Sequence, residues 1–190
     1  MRNIIPKNAR LVPEEAKLVF KGIIYDVYQW EQKMFDGTFS TFEMLKRPDT
    51  IKVIAIKDNK IVITRQTQPN SKEFLDVPGG MHDVQNEDEL SAAKRELEEE
   101  TGLVCKNWKL VSVIQPHNKI EQFVYVFIAW DVTEEKTQKL DNGEKISVEL
   151  TNFDVFKNLL GTDEVRSPKM DFLDGVDFIE ELLTIPEYKI

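Results

Sequence analysis

Residues 78–103, PGGMHDVQNEDELSAAKRELEEETGL, are the most informative stretch of this chain. Asn86 is a suitable N-cap, and Glu89 stands three residues later, where a glutamate closes a capping box. Gly102 is suited to the left-handed position that follows the last turn of a helix. The stretch therefore predicts a helix over residues 87–101 with well-marked ends.

The predicted helix presents two different faces. Apolar residues recur at spacings of three and four and predict a stripe that packs on a core, formed by Leu90, Ala93 and Leu97. The carboxylates of Glu96, Glu99 and Glu100 converge on a neighbouring face, where like charges cost about 0.2–0.5 kcal/mol per pair. A hard divalent cation would reverse that repulsion. Oxygen ligands alone favour Mg²⁺ or Mn²⁺ over zinc.

Residues beside these carboxylates fit metal-assisted phosphoryl chemistry. Arg95 precedes Glu99 by four residues and is positioned to hold that carboxylate in place. Gly79 and Gly80 either form only a turn or bring backbone close to a ligand, so that a carbonyl adds a metal ligand. Two or more cations in such a site would bridge diphosphate oxygens and activate water.

The composition narrows the class of protein. With 190 residues, 41% of them hydrophobic and 31% charged, the chain is expected to fold as one domain or one domain with a short appendage. A formal net charge of −9 makes duplex nucleic acid an unfavourable partner. The single cysteine, Cys105, is expected to be buried and inert. Without an apolar run of about 20 residues, we predict no membrane partner and a cytoplasmic location.

The order of predicted elements favours an α+β fold. Two strands are expected on either side of Asp36-Gly37 within residues 18–47. Residues 51–56 and 61–64 form a predicted antiparallel hairpin that turns at Asp58-Asn59. Further strands are predicted at 110–115, 122–132 and 146–150, and helices at 153–160 and 172–183. Strands, a helix, strands and then helices indicate a mixed-sheet sandwich rather than a doubly wound parallel sheet.

Residues 78–103 resemble the Nudix box of Nudix hydrolases. That pattern is Gly, five residues, Glu, seven residues, then Arg-Glu-apolar-any-Glu-Glu-any-Gly-apolar, and the matching positions are Glu87, Arg95, Glu96, Leu97, Glu99, Glu100, Gly102 and Leu103. The chain departs from it where six residues separate Gly80 from Glu87. The resemblance implies a Nudix α/β/α sandwich that hydrolyses nucleoside diphosphates linked to another moiety. It assigns metal binding to Glu96, Glu99 and Glu100, with Arg95 orienting them.

Other segments are similar to the ADP-ribose and nucleotide-sugar pyrophosphatase branch of that family. The similarity implies that residues 1–48 form an extra amino-terminal β element that joins two subunits, and that residues 49–190 form the Nudix domain. Pro116 and Glu121 match a Pro-Gly-turn-Glu segment of the branch, although His117 replaces its glycine. Glu121 is therefore a candidate substrate residue. Trp30 either stacks on a nucleobase, in its own or a neighbouring subunit, or is a packed strand residue.

The same branch supplies candidates in two loops. The segment Asp141-Asn142-Gly143-Glu144 matches an acidic loop before a late strand, so Glu144 is a candidate general base, a metal ligand or an exposed turn acid. Arg65-Gln66 and the segment that ends at Gly79 match a strand end and the residues before the box. By that similarity the Gly79 carbonyl binds a metal, and Arg65 with Gln68 contacts the diphosphate. Arg65 is equally suited to a cross-strand ion pair.

The resemblance thus implies a Mg²⁺- or Mn²⁺-dependent homodimer. Its activity would cleave the diphosphate of ADP-ribose or a nucleotide sugar into a nucleoside monophosphate and a sugar phosphate. One alternative is a nucleoside triphosphate pyrophosphatase that removes altered nucleotides. Another is a nucleotide-binding regulator that keeps the fold without turnover. The amino-terminal element favours the first function over the second, and the intact carboxylates disfavour the regulator.

Overall fold

The computed structural model of the chain describes residues 2–69, 71–167 and 170–189. The strands are β1 (Lys17–Lys21), β2 (Asp26–Lys33), β3 (Phe39–Lys46), β4 (Asp49–Lys57), β5 (Lys60–Thr67), β6 (Phe74–Asp76), β7 (Met81–His82), β8 (Leu103–Ile114), β9 (Ile120–Glu121), β10 (Val124–Glu135) and β11 (Lys145–Thr151). The helices are α1 (Glu89–Thr101) and α2 (Phe153–Leu159), followed by 3₁₀ segments at Asp171–Leu173 and Ile179–Thr184.

The amino-terminal strands form a small sheet of their own. Its order is β1-β2-β3-β9. The short strand β9, which lies between β8 and β10 in the chain, pairs with β3 and so links this sheet to the rest of the fold. The hairpin between β2 and β3 turns at Gly37, whose φ is +88°, while the Asp36 side chain accepts the Thr38 N–H at 3.0 Å. The two predicted strands are present, and β1 is a third strand that the sequence pattern did not indicate.

The larger sheet is mixed. Its order is β11-β5-β4-β10-β8, with β6 beside β5 and β7 beside β4. Strands β4 and β5 form the predicted antiparallel hairpin, and its turn residues Asp58 and Asn59 have φ angles of 51° and 56°. Strand β4 also pairs in parallel with β10, from Thr50 opposite Val124 to Ala55 opposite Ala129. Parallel and antiparallel pairing in one sheet confirms the predicted mixed sheet.

Alternation along β4 divides the core between the two faces of this sheet. One face packs with α1, through the buried residues Ile51, Val53, Ala55, Ala92, Ala93 and Leu97. On the other face Ile54 packs with Phe153 and Phe156 of α2. These layers confirm the α/β/α sandwich.

Cys105 is buried in the first layer, and burial raises the pKa of its thiol to about 11, as expected for an unreactive cysteine.

The start of α1 differs from the prediction. Asp88, not Asn86, is the N-cap, and its side chain accepts the Ser91 N–H at 2.7 Å. Asn86 lies in the preceding turn with a φ of +65°. Glu89 closes no capping box; it is buried, and its Oε1 accepts backbone N–H groups of residues 3 and 4 at 2.6 and 3.1 Å. Because Glu89 takes the inward position of the first turn, Leu90 is exposed and does not belong to the apolar stripe.

The predicted helix over residues 172–183 is wrong. Two 3₁₀ segments occupy this region, and Gly175 between them has a φ of +81°. The buried apolar residues recur every three positions, at Leu173, Val176, Ile179 and Leu182. That period matches the three residues per turn of a 3₁₀ helix, and it also resembles half of an α-helical pattern.

Among the described residues, no helix is long and apolar enough to cross a membrane.

Candidate active site

A cleft of about 570 Å³ lies beside α1 and brings together residues from distant parts of the chain. It is lined by strands β4 and β5, the loop after β6, α1, and the loop before β11. The predicted site residues that line it are Gln68, Gly79, Arg95, Glu96, Glu99, Glu100 and Glu144. The roles assigned to these residues stay predictions.

Two glycines allow the loop after β6 to pass between β4 and α1. The loop pairs with β4, because the Ile51 N–H donates to the Gly80 carbonyl at 2.9 Å. Gly79 has a φ of +150°, and a Cβ there would lie 2.1 Å from the Ile51 carbonyl oxygen. A Cβ on Gly80 would lie 2.3 Å from Oε2 of Glu96. A Cβ at Gly79 would clash with backbone, whereas one at Gly80 would displace the Glu96 carboxylate, so both glycines allow a close approach and do more than form a turn.

Glu100 is a buried carboxylate held by donors from two other segments. It is 4% exposed, its Oε2 accepts the Gly79 N–H at 2.8 Å, and its Oε1 accepts from Nε2 of Gln66 at 3.3 Å. Gln66 is in turn within 2.9 Å of the Thr64 hydroxyl. Burial raises the pKa of Glu100 to about 8, although the Gly79 N–H and the Lys52 charge oppose that shift.

Arg95 gathers three carboxylates around one guanidinium group. Its Nη1 donates to Glu96 at 2.8 Å and to Glu99 at 3.1 Å. Its Nε and Nη2 donate to the two oxygens of Glu87 at 2.9 and 3.0 Å. Burial nevertheless raises the pKa of Glu96 to about 7. The side chain of Glu99 is 39% exposed, so this carboxylate lies at the mouth of the cleft.

The donor set fits a hard divalent cation. In residues 2–69, 71–167 and 170–189, no three histidine, cysteine, aspartate or glutamate side chains already stand in a metal-binding arrangement. The groups at hand, Glu96, Glu99 and Glu100, are all oxygen donors that face one cleft. Glu100 is buried and Glu96 is partly buried, burial raises the pKa of both, and a cation would compensate the charge that burial disfavours. Such a set suits Mg²⁺ or Mn²⁺.

The acidic loop before β11 is anchored to the carboxyl-terminal turn of α1. The Lys139 N–H donates to the Glu99 carbonyl at 2.9 Å, and Nε2 of Gln138 donates to the Glu100 carbonyl at 2.5 Å. These contacts satisfy carbonyls that a helix end leaves without intrahelical partners. They hold Glu144 half-buried in the cleft, where burial, followed by the Asp141 charge, raises its pKa. Glu144 is therefore not a fully exposed turn acid.

Three predicted substrate residues lie outside this cleft, namely Arg65, Glu121 and Trp30. Arg65 forms ion pairs with Glu149 on β11 at 2.5 Å and with Glu73 at 3.0 Å, as the cross-strand alternative described. Gln66 on β5 and Gln68 just after that strand line the cleft instead, because side chains alternate along a strand. Glu121 is buried outside the cleft among three donors, namely Arg2, Lys46 and the Val12 N–H.

Trp30 packs within the amino-terminal sheet. Its ring centroid is 6.0 Å from that of Phe42, and its Nε1 donates to Gln32 at 3.1 Å. This arrangement fits the interpretation of Trp30 as a packed strand residue. Trp30 does not line the cleft of its own chain.

The structure also adds cleft residues that sequence reasoning missed. Gln66 binds Glu100, and the cations that line the cleft besides Arg95 are Arg47, Lys52, Lys139 and Arg166. Alternation along β5 could have placed Gln66 beside Gln68, once the inward face of that strand was known. No sequence signal connects Arg166 to residues 78–103, since only the packing of the carboxyl-terminal segment brings it there.

The metal-free protein is expected to lose stability as the pH rises from about 5 to 8. Glu96 and Glu100 have folded-state pKa values of about 7 and about 8, against 4.5 when unperturbed. The folded state therefore binds these protons more tightly. The resulting stabilisation is complete below pH 4.5 and is lost as the pH rises through the two folded-state values. Denaturant unfolding in a chelator, at about pH 5, 6.5 and 8, measures this loss.

The control for that measurement is Glu100→Gln, which removes one of the two titrations. Its unfolding free energy is expected to depend less on pH than that of the unchanged protein. A variant curve that runs parallel to the original curve would contradict the assignment of this pH dependence to Glu100.

Comparisons with known proteins agree with this geometry. Residues 46–171 match the model of the NUDIX domain. The chain is 32% identical over 157 residues to an ADP-ribose pyrophosphatase of Bacillus subtilis (strain 168), covering 80% of this chain and 83% of the relative. It is 30% identical over 142 residues to a methanol dehydrogenase activator of Bacillus methanolicus, covering 72% and 76%.

A solved structure supports the fold alone. The crystal structure of an ADP compounds hydrolase superimposes with a TM-score of 0.66 and 16% identity, over 84% of this chain and 88% of that chain. The carboxylate helix, the glycine loop and the match over residues 46–171 then lead to one conclusion. The chain belongs to the Nudix family and is a Nudix pyrophosphohydrolase.

Proposed function

We propose that this Nudix hydrolase uses Mg²⁺ or Mn²⁺ to cleave the diphosphate of ADP-ribose or a nucleotide sugar, giving a nucleoside monophosphate and a sugar phosphate. The observation that carries the proposal is the convergence of Glu96, Glu99, Glu100 and Glu144 on one cleft. Nudix hydrolases generally use divalent metal ions. The named activity of the Bacillus subtilis relative supports ADP-ribose as the first substrate to test.

In this proposal each residue has a separate task. Glu96, Glu99, Glu100 and the Gly79 carbonyl hold the cations. When bound, these cations neutralise diphosphate charge and lower the pKa of water. Arg95 holds the carboxylates in place through its contacts with Glu96 and Glu99. Glu144 accepts the proton of the attacking water, and its raised pKa makes this carboxylate a stronger base. Gln68 contacts the substrate.

Product analysis with Mg²⁺ tests this function directly. The panel contains ADP-ribose, several nucleotide sugars, dinucleoside polyphosphates and nucleoside triphosphates. We expect ADP-ribose or a nucleotide sugar to yield a nucleoside monophosphate and a sugar phosphate. Release of pyrophosphate from triphosphates alone would instead indicate a triphosphate pyrophosphatase. Binding of these compounds without cleavage would indicate a regulator.

Glu144→Gln is expected to lower kcat by about 10²- to 10⁴-fold with little change in KM, because the amide cannot accept the water proton. Steady-state kinetics on the best substrate of the panel measures both constants. Glu135→Gln is the matched control, since Glu135 is an exposed carboxylate paired with Lys57 on the surface. An unaltered rate for Glu144→Gln would remove this residue as the base.

We also propose that the protein is a homodimer joined by residues 1–48, with residues 49–190 as the catalytic domain. The amino-terminal sheet exposes large apolar side chains, including Phe20 at 61% and Phe39 at 64%. Exposed apolar surface of this kind favours a partner, here a second copy of the chain. Trp30 would then meet a nucleobase held by the neighbouring subunit. Sedimentation velocity should give twice the 22.1 kDa mass of the chain, and a single 22.1 kDa species would contradict the dimer.

A further inference from the structure

Two cations of the cleft, Lys52 and Arg95, are held in close ion pairs with carboxylates of the protein. Lys52 pairs with Asp76 at 2.5 Å, whereas Lys139, whose side chain is 72% exposed, forms only a loose surface pair with Glu98 at 3.9 Å. Arg95 is paired with three glutamates, as described above. Lys52 and Arg95 position other side chains, so their charge is largely compensated within the protein. A substrate phosphate would have to compete with a carboxylate for each of them.

Arg166 differs from these cations. It is exposed at the cleft, and within the described ranges its side chain has no carboxylate partner. Its Nη1 donates to Oε1 of Gln68 at 3.3 Å, and its guanidinium carbon lies 3.6 Å from the centroid of the Phe74 ring. Arg47 also lacks a carboxylate partner in the described part of the chain. However, its guanidinium carbon lies 5.3 Å from the centroid of the Tyr25 ring, and its Nη1 donates to the Tyr25 hydroxyl at 3.2 Å, so contacts with Tyr25 hold it. Its buried Nε has no hydrogen-bond partner in the described residues.

The backbone around Arg166 is fixed on both sides. Val165 forms a parallel bridge with Leu75 of β6, and the Arg166 N–H donates to the Leu75 carbonyl at 2.9 Å. The buried hydroxyl of Ser167 donates to the Asp76 carboxylate. Strand β6 leads directly into the glycine loop of the cleft. The carboxyl-terminal segment therefore presents Arg166 from a defined position, although the side chain itself is exposed.

We propose that Arg166, together with Gln68, binds a phosphate group of the substrate diphosphate. The identification of that diphosphate rests on the proposed function. A planar guanidinium group suits two oxygens of one phosphate, and the Phe74 ring holds its plane in a defined orientation. Because Oε1 of Gln68 accepts from Arg166, the Nε2 donors of Gln68 remain for the same phosphate. Arg166 thereby supplies positive charge opposite a helix that is rich in carboxylates.

The test is calorimetric titration of inorganic pyrophosphate in the presence of Mg²⁺. The proteins are the unchanged chain, Arg166→Gln, Arg166→Lys and the control Arg10→Gln, which removes the same charge from an exposed position outside the cleft. Arg166→Gln is expected to raise Kd by about 10- to 100-fold, as expected for a lost charge-assisted hydrogen bond. Arg166→Lys should fall between Arg166→Gln and the unchanged chain, since an ammonium keeps the charge but not the planar fork.

Pyrophosphate binding that stays within about twofold in Arg166→Gln would overturn the proposal. An equal loss in Arg10→Gln would overturn it as well, because that loss reflects net charge alone. So would absence of pyrophosphate binding by the unchanged chain. If Arg166→Gln does not fold, the Kd of Arg166→Lys for pyrophosphate tests the proposal instead. The aliphatic part of that lysine still covers the Phe74 ring.

The same variants separate this proposal from the proposed function. With ADP-ribose as substrate, Arg166→Gln should raise KM by about the same factor as Kd and change kcat by less than about threefold. If the unchanged chain cleaves no ADP-ribose, the proposed function fails. The pyrophosphate titration still judges Arg166 in that case, because it requires no turnover.

Discussion

Glu100→Gln is expected to lower kcat by about 10²- to 10⁴-fold, since it removes one carboxylate from the proposed cation site. The folded protein should tolerate the change. Glu100 is buried with a raised pKa of about 8, so at neutral pH a neutral amide resembles the form that the metal-free protein prefers. The Gly79 N–H, 2.8 Å away, keeps an oxygen to donate to. Steady-state kinetics and thermal unfolding together test both expectations.

Glu98→Gln is the matched control for that variant. Glu98 is on the same helix but pairs with Lys136 at 3.0 Å instead of lining the cleft. We expect Glu98→Gln to keep kcat within about threefold, because a partly exposed ion pair contributes little. Near-full activity in Glu100→Gln, or equal losses in the two variants, would contradict the assignment of Glu100 to the metal site.

Gly80→Ala is expected to reduce kcat by about 10²-fold or more without a comparable loss of stability. The new Cβ would lie 2.3 Å from Oε2 of Glu96, and this carboxylate is the flexible end of a side chain. Glu96 is therefore expected to swing out of the cleft while the backbone stays in place. Kinetics as a function of Mg²⁺ concentration measures the effect, and a weaker response to Mg²⁺ is expected together with the lower rate.

Gly143→Ala provides the control for Gly80→Ala. Its nearest new neighbour would be Cδ of Pro69 at 3.9 Å, an ordinary van der Waals contact. Both variants add one methyl group to a loop that borders the cleft, yet only Gly80→Ala disturbs Glu96. If Gly80→Ala were as active as Gly143→Ala and the unchanged chain, the position of Glu96 would not matter for turnover.

The residues of α1 were predictable because their relations are local. A helix places positions three and four residues apart on one side, so the spacing alone predicted the contact between Arg95 and Glu99. The left-handed conformation of Gly102, with a φ of +74°, follows from the same local rules. The N-cap was wrong by two positions, because both Asn86 and Asp88 have side chains suited to that role.

Positions that depend on strand faces and packing were not predictable in the same way. The pattern of β5 cannot tell which side of the strand meets α1, so Arg65 was a candidate for the site while Gln66 was overlooked. Glu121 carries a charge and follows a turn, yet three donors from other segments bury it away from the cleft. The apolar residues within 172–183 fit either type of helix until Gly175 and the sheet below them select the 3₁₀ form.

Residue spacing alone predicts the carboxylate helix, its end at Gly102 and the family to which the chain belongs, because a helix converts spacing directly into geometry. Three further features follow from the packing of the folded chain: Gly80 leaves room for the Glu96 carboxylate, Gln66 supports Glu100, and Arg166 reaches the cleft. These contacts join residues far apart in the chain. They depend on strand register and on the packing of layers, which one-dimensional spacing does not encode.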